Sequence, residues 1–103
     1  LRVGGIMMPI NVNEIISKLI NEVRNYGQVT VEDYGSEKLI IVKLTEEFSV
    51  FVSILCEDAE CNVEYAVGDE NFTIMPKDLD LMDKAVEIMR IINSNLIKMG
   101  VVK

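Results

Sequence analysis

Histidine is absent from this sequence, as is tryptophan, and the lack of histidine bears directly on chemistry. Histidine is the most common general acid or base in enzymes and a frequent zinc ligand. The two cysteines supply only half of the four ligands that a structural zinc site needs. A Gly-x-Ser-x-Gly nucleophile motif and a phosphate-binding glycine loop are missing too. The sequence therefore favours a protein that is not an enzyme and has no metal site and no cofactor.

Basic residues are also scarce, since 10 Lys and Arg stand against 17 Asp and Glu and give a net charge of −7. Such a surface repels nucleic-acid phosphates and anionic membranes. No apolar run approaches the ~20 residues that cross a bilayer. Residues 1–7 are too short and glycine-broken for a signal peptide. We therefore expect a cytoplasmic protein that binds neither nucleic acid nor membrane.

Hydrophobic residues, by contrast, make up half of the chain, which is enough for one core in 103 residues. Low hydrophobicity and high charge, the signature of disorder, do not apply. We predict a single α+β domain over residues 8–103, preceded by an N-terminal extension over residues 1–7.

Two segments show the apolar spacing of amphipathic helices. The first covers residues 11–27, where Asn11 can cap the free N–H groups and Gly27 suits the left-handed residue that ends a helix. The second is longer and reaches from a cap at Asp78 to about Met99, with Gly100 closing it. These segments predict one helix near each end of the domain.

Between the helices the period changes to two, which is typical of strands. The alternating segments are residues 29–31, 38–44, 48–55, 61–67 and 72–74. Short connections favour antiparallel neighbours. The predicted fold is α-β-β-β-β-β-α, with a five-stranded antiparallel meander sheet and both helices packed on one face.

This order of elements resembles the secretion-chaperone type of fold. It departs from that type by lacking a helix between the third and fourth strands. The resemblance implies an architecture and no functional residue.

The two central strands are apolar on both faces, although a sheet covered on one side should alternate. Residues 39–42 are continuously apolar, and Phe51 and Leu55 oppose their apolar neighbours. The second helix is apolar around most of its circumference. This surplus predicts a homodimer; alternatively, sheet curvature and the N-terminal segment cover it. The predicted interface residues are Ile40, Val42, Phe51, Leu55, Ile88 and Ile92.

The two cysteines, Cys56 and Cys61, lie on either side of a predicted hairpin turn. Three states compete. Free thiols pack as small hydrophobes and rank first. A disulfide across the hairpin ranks second. Metal binding ranks last, because two further ligands are missing.

An acidic rim is expected at one end of a five-stranded meander, where alternate loops meet the start of the second helix. Its members are Glu37, Glu57, Asp58, Glu60 and Asp78. Carboxylates suit a hard divalent cation or a basic peptide. The plainer interpretation is a solvated rim, because turns and helix starts are where acids ordinarily lie.

Taken together, these features favour a non-enzymatic binding or assembly protein, a homodimeric adaptor or chaperone-like domain that also contacts another protein. The first alternative is a domain that binds a divalent cation at the acidic rim, or a small molecule between the sheet and the second helix, where Met82, Met89, Tyr65 and Phe72 could converge. A carboxylate-dependent enzyme is the remaining alternative.

Overall fold

The computed structural model describes residues 11–58 and 60–102. The extension predicted at residues 1–7 lies outside the described residues. The elements, in chain order, are helix α1 (Val12–Val23), strands β1 (Gln28–Tyr34), β2 (Glu37–Lys43), β3 (Ser49–Glu57) and β4 (Glu60–Gly68), a 3-10 turn (Pro76–Asp78) and helix α2 (Leu79–Lys98).

The sheet is an antiparallel meander in the order β1-β2-β3-β4, so the predicted fifth strand is wrong. Phe72, at the start of that predicted strand, has a left-handed backbone with φ of 62°. The Asp69 carboxylate accepts hydrogen bonds from the backbone N–H groups of Asn71 and Thr73, at 2.8 and 2.9 Å. Such local bonds compete with pairing in a sheet. The α+β class is confirmed, but with four strands.

Because the sheet has four antiparallel strands, the chain leaves it at the same end where it entered. The connection at residues 69–78 therefore lies beside the β2–β3 loop, at what we call the loop end. The tight β1–β2 and β3–β4 turns lie at the opposite end, which we call the hairpin end.

Both helices cover the same face of the sheet and form one core with it. The buried side chains from the sheet and its loops are Ile40, Val42, Phe48, Val50, Val52 and Ile54, and those from the helices are Ile15, Ile16, Leu19, Val23, Ala85, Ile88, Ile92 and Leu96. Each large side chain buried in this way contributes roughly 1.5–3 kcal/mol. The prediction that both helices pack on one face is confirmed.

The start of α1 agrees with its predicted cap, whereas its end does not. The Asn11 side chain accepts from the backbone N–H groups of Asn13 and Glu14, at 3.1 and 3.2 Å. The helix ends at Val23, before Gly27. Glycine is needed at position 27 because a Cβ atom there would lie 2.1 Å from the carbonyl oxygen of Lys43. A left-handed backbone is not the reason.

Helix α2 ends as predicted at Gly100, which has φ of 77°. Gly100 N–H donates to the Ile97 carbonyl at 3.0 Å, and Val101 N–H donates to the Leu96 carbonyl at 2.9 Å. This pair of bonds is the Schellman motif, in which a left-handed residue closes the helix. Within the part of the chain that the structure describes, neither helix is long and apolar enough to cross a membrane.

Candidate functional site

The side of the sheet that faces away from the helices is the open face. Its side chains come from alternate positions of each strand, as the strand register fixes. They are Gln28, Thr30, Glu32 and Tyr34 from β1, Glu37, Leu39, Ile41 and Lys43 from β2, Ser49, Phe51, Ser53, Leu55 and Glu57 from β3, and Glu60, Asn62, Glu64 and Ala66 from β4.

An apolar strip runs along the middle of the open face and consists of Leu39, Ile41, Phe51 and Leu55. Ile41 lies directly opposite Phe51, and Leu55 is diagonal to Leu39. All four side chains are half-buried. The strip therefore lies on the two central strands and keeps part of its apolar surface in contact with solvent.

One end of the strip is partly covered by the connection after β4. The ring of Phe72 meets the ring of Phe51 edge to face, with the ring centroids 5.2 Å apart. The left-handed backbone of Phe72 turns the chain back at this point. Phe72 is itself 58% exposed, so it extends the apolar surface more than it hides it.

Carboxylates flank the apolar strip on both sides. Glu32 lies opposite Leu39 on β1, and Glu64 lies opposite Ser53 on β4. Glu37 accepts a hydrogen bond from the Ser53 hydroxyl at 2.6 Å. These contacts place negative charge within one residue of the strip on each side.

Two further contacts shape the charge of the open face. The Tyr34 hydroxyl donates to Glu32 at 2.6 Å, and this bond raises the pKa of Tyr34 above its ordinary value. Within the described strands, Lys43 is the one basic side chain on this face, and it pairs with Glu46 at 3.1 Å. The electrostatic character of the open face is therefore acidic.

The predicted interface residues divide between the two faces of the sheet. Phe51 lies in the apolar strip, as does Leu55. The expectation that Ile40 and Val42 share this face is wrong, because both face the helices at 0% exposure. Ile88 and Ile92 are likewise fully buried in the core, at 0% exposure. The strip members that the sequence prediction missed are Leu39 and Ile41, which alternate with Ile40 and Val42.

The predicted acidic rim is divided between the two ends of the sheet. Its members at the hairpin end are Glu37, Glu57, Asp58 and Glu60, whereas Asp78 lies at the loop end. Asp78 is 7% exposed, and its carboxylate accepts from the backbone N–H of Met75 at 2.9 Å. The prediction is wrong for Asp78, because placing it with the other four required a fifth strand to carry the chain to the hairpin end.

The two cysteines form a disulfide, so the ranking that placed free thiols first is wrong. Cys56 and Cys61 lie directly opposite each other on β3 and β4, with their Cα atoms 4.0 Å apart. Among residues 11–58 and 60–102, no three acidic or cysteine side chains gather in a way that could hold a metal ion. The residues described at the hairpin end thus form a cross-linked turn.

An ion pair between a buried lysine, Lys38, and an exposed carboxylate, Asp33, lies at the hairpin end. The Lys38 ammonium donates to Asp33 at 2.6 Å and to the Gly35 carbonyl at 2.7 Å. The hydrogen bond from Lys38, followed by the one from the Gly35 N–H, lowers the pKa of Asp33. These contacts satisfy Lys38, which is 9% exposed.

The four residues expected to converge on a small molecule do not share one face. The Tyr65 hydroxyl donates to Asn93 of α2 at 3.0 Å, and Met82 and Met89 pack against the core on the same side of the sheet. Phe72 lies across the sheet against Phe51. The proposed convergence is therefore wrong for Phe72.

Comparisons of the chain with protein-family models, with curated proteins and with solved structures gave no match.

Proposed function

We propose that this chain is a non-enzymatic binding protein, adaptor or chaperone-like, that assembles as a homodimer and presents its open face to a partner protein. The observation that carries the proposal is the partly exposed apolar strip with carboxylates on both sides. Apolar patches rimmed by polar residues mark interaction surfaces in soluble proteins. The contact segment of the partner is apolar and basic.

The charge of the open face selects this partner over a second copy of the chain. Two copies packed face to face would oppose Glu32, Glu37 and Glu64 of one copy with acidic residues of the other. Like charges opposed in an interface disfavour a complex, whereas lysines and arginines beside apolar residues would complement them. The open face thus fits a basic partner, and self-association uses other surfaces.

Apolar residues exposed outside the open face support the homodimer. Leu79 and Ile97 of α2 are 62% and 50% exposed. Ile74 and Met75, in the connection before α2, are 41% and 49% exposed. Light scattering at high micromolar concentration should give twice the chain mass of 11.6 kDa. A strict monomer there would remove the homodimer from the proposal.

Binding at the open face can be tested with two labelled synthetic peptides, one alternating leucine with lysine and the other leucine with glutamate. Fluorescence anisotropy should show binding of the lysine peptide and much weaker binding of the glutamate peptide. Equal binding of both peptides, or binding of neither, would contradict the proposal.

A double variant locates the contact. Leu39→Thr with Ile41→Thr keeps side chains that suit a strand but removes apolar surface from the strip. Loss of about 1.5–3 kcal/mol for each buried side chain weakens binding of the lysine peptide by roughly tenfold or more. Ile97→Thr, on α2, is the matched control and should bind as the wild type does. An equal loss in the control would place the contact elsewhere.

A cytoplasmic location remains a proposal, and one observation weighs against it. Disulfides persist mainly in oxidising compartments and are rare in the reducing cytosol. The bond between Cys56 and Cys61 is such a disulfide. Alkylation of intact cells before lysis, followed by mass spectrometry, distinguishes free thiols at Cys56 and Cys61 from the disulfide. Free thiols in the cell would agree with the cytoplasm, and a protected disulfide would contradict it.

A further inference from the structure

The outer edge of β4 is the longer of the two free edges of the described sheet. β4 has nine residues and pairs with β3 on one side only. Natural edge strands are protected by charged side chains, above all lysine, by proline, by a bulge or by short length. Residues 60–68 contain no lysine or proline, and their register with β3 runs through nine pairs without a bulge. The two charged residues of β4, Glu60 and Glu64, both lie on the open face, so its helix-covered face carries no charge.

The other edge strand, β1, differs in two respects. It has seven residues, and Asp33 occupies a position on its helix-covered face. That carboxylate is 68% exposed and pairs with Lys38, so β1 carries a charge on both of its faces. Charged side chains on an edge strand discourage another strand from pairing there. β4 is therefore the longer and the less protected of the two edges.

The backbone groups that β4 turns outward can be identified. Cys56 and Cys61, with Cα atoms 4.0 Å apart, have the close spacing of an antiparallel pair that exchanges no backbone hydrogen bonds. Consistent with this, Cys56 N–H donates to the Ser36 carbonyl, away from β4. Because the pattern alternates, Val63, Tyr65 and Val67 also direct their N–H and C=O groups to the free edge.

Helix α2 packs on β3, and the flank that it turns toward β4 carries two methionines. The hydrogen bond from Tyr65 to Asn93 fixes which side of α2 this is. Met82 and Met89 lie on the same side of the helix as Asn93, because they precede it by eleven and four residues. Both methionines are half-buried. Methionine side chains adapt readily to a second apolar surface.

We propose that two copies of this chain join through antiparallel pairing of β4 with β4, which forms a continuous eight-stranded sheet and brings the two α2 flanks together. This inference rests on the proposed homodimer and names its surface. A second copy fits because a two-fold axis brings the outward N–H groups of one β4 opposite the outward C=O groups of β4 in the other copy, so that each donor meets an acceptor. The same axis places the methionine flank of one α2 beside that of the other.

The register of such a pair is restricted by charge. Hydrogen bonds form only between residues whose backbone N–H and C=O groups point to the free edge. The registers that pair most of β4 in this way have their two-fold axis beside Val63, Glu64 or Tyr65. An axis at Glu64 would place that carboxylate opposite its own copy, which is unfavourable. An axis at Tyr65 places Glu64 opposite Ala66 instead. Pairing centred on Val63 or Tyr65 therefore avoids like charges.

The contact has the size of a small, reversible dimer interface. With the axis at Val63 or Tyr65, only part of β4 pairs, and the paired segments (residues 60–66 or 62–68) extend about 23 Å. A sheet and a helix layer together are roughly 20 Å deep. The two dimensions give roughly 450 Å² for each copy, at the low end for specific interfaces. Pairing through β4 also leaves the open face of each copy free, so the two surfaces can work together.

The test uses one substitution at matched positions of the two edges. Val63→Pro removes an outward N–H that β3 does not use, and Val31→Pro does the same on β1. We expect sedimentation equilibrium to give a dimer for the wild type and for Val31→Pro, and a monomer for Val63→Pro. Val63→Lys and Val31→Lys form a second matched pair in case a proline variant does not fold, which circular dichroism would show.

The outcomes separate the two proposals. A wild-type monomer at every concentration would overturn the homodimer and the β4 pairing together. A wild-type dimer that persists in both Val63 variants would overturn the pairing alone. Amide exchange in the wild type provides a further check, since the Val63 and Tyr65 amides should become at least tenfold more protected as the dimer forms. Unchanged fast exchange of both amides in the dimer would also overturn the β4 pairing.

Discussion

At the scale of single residues, the ion pair between Lys38 and Asp33 places a titratable contact at the rim of the core. Because the pKa of Asp33 is lowered in the folded chain, its contribution to stability is present above the unfolded pKa of about 3.9. That contribution is lost as the pH falls through the lower, folded pKa. Part of the loss of wild-type stability in acid should therefore come from this exposed carboxylate.

The substitution Asp33→Asn tests this assignment. Urea unfolding should show that the variant is less stable than the wild type at pH 7, and that the difference shrinks steadily below pH 4. In a Lys38→Met background the same substitution should lose most of its pH dependence, since the largest cause of the lowered pKa is gone. A difference that stays constant from pH 7 to pH 2 would contradict the assignment.

Gly100 offers a second residue-scale prediction, because its backbone is left-handed and a Cβ atom there would meet nothing within 4 Å. Gly100→Ala therefore isolates the conformational cost from any steric clash. We expect the free energy of unfolding to fall by about 1 kcal/mol, measured by urea titration. Ser94→Ala, on the exposed side of α2, should change it by less than about 0.5 kcal/mol. Equal effects of the two substitutions would speak against the Schellman motif.

At the scale of elements, the β3–β4 hairpin is held by its ladder and by the disulfide. The chain-entropy account of a cross-link between cysteines with a sequence separation of 5 gives about 2 kcal/mol. The double variant Cys56→Ser with Cys61→Ser should lose up to that amount in denaturant unfolding. Reduced wild type should match the double variant, and reductant should leave the variant unchanged. If reduction does not alter the wild type, the disulfide does not stabilise the hairpin.

The sequence predicts most of this architecture because each element carries a local signal. Helical spacing and the Asn11 cap identify α1, and alternation identifies four strands. The segment at residues 72–74 alternates as well, but the Asp69 carboxylate bonds the backbone of Asn71 and Thr73 instead. Asp69 and Asn71 at a turn are a sequence signal for such bonding. The apolar alternation of residues 72–74 predicted a strand in spite of it.

The open face was predicted less well, for a reason found in one strand. Residues 39–42 are all apolar, so alternation alone cannot say which two of them face the helices. In the structure, Lys38 is buried on the same face of β2 as Ile40 and Val42. From sequence alone, a lysine is expected on the solvent side, which would assign Ile40 and Val42 to the open face. The partner at the open face and the state of the cysteines depend on contacts that no periodicity encodes.

At the scale of the whole molecule, the even number of strands places Asp78 at the opposite end of the sheet from the other four residues of the predicted acidic rim. Acidic side chains are instead spread over both ends of the sheet and along the open face. With 17 acidic residues against 10 basic ones, repulsion between carboxylates opposes the compact state. Within the described residues, three ion pairs offset this repulsion, and two of them are largely exposed.

Salt should therefore act in opposite directions on folding and on partner binding. Raising KCl from about 0.02 to 0.5 M shortens the range of charge interactions several-fold, which relieves the repulsion within the chain. The urea midpoint should increase, while the leucine–lysine peptide should bind the open face more weakly. The double variant Leu39→Thr with Ile41→Thr retains the carboxylates, so its residual binding should keep the same salt dependence. A midpoint that falls with salt would mean that attractive ion pairs outweigh repulsion in the folded chain. Peptide binding that ignores salt would mean that the carboxylates beside the apolar strip take no part in recognition.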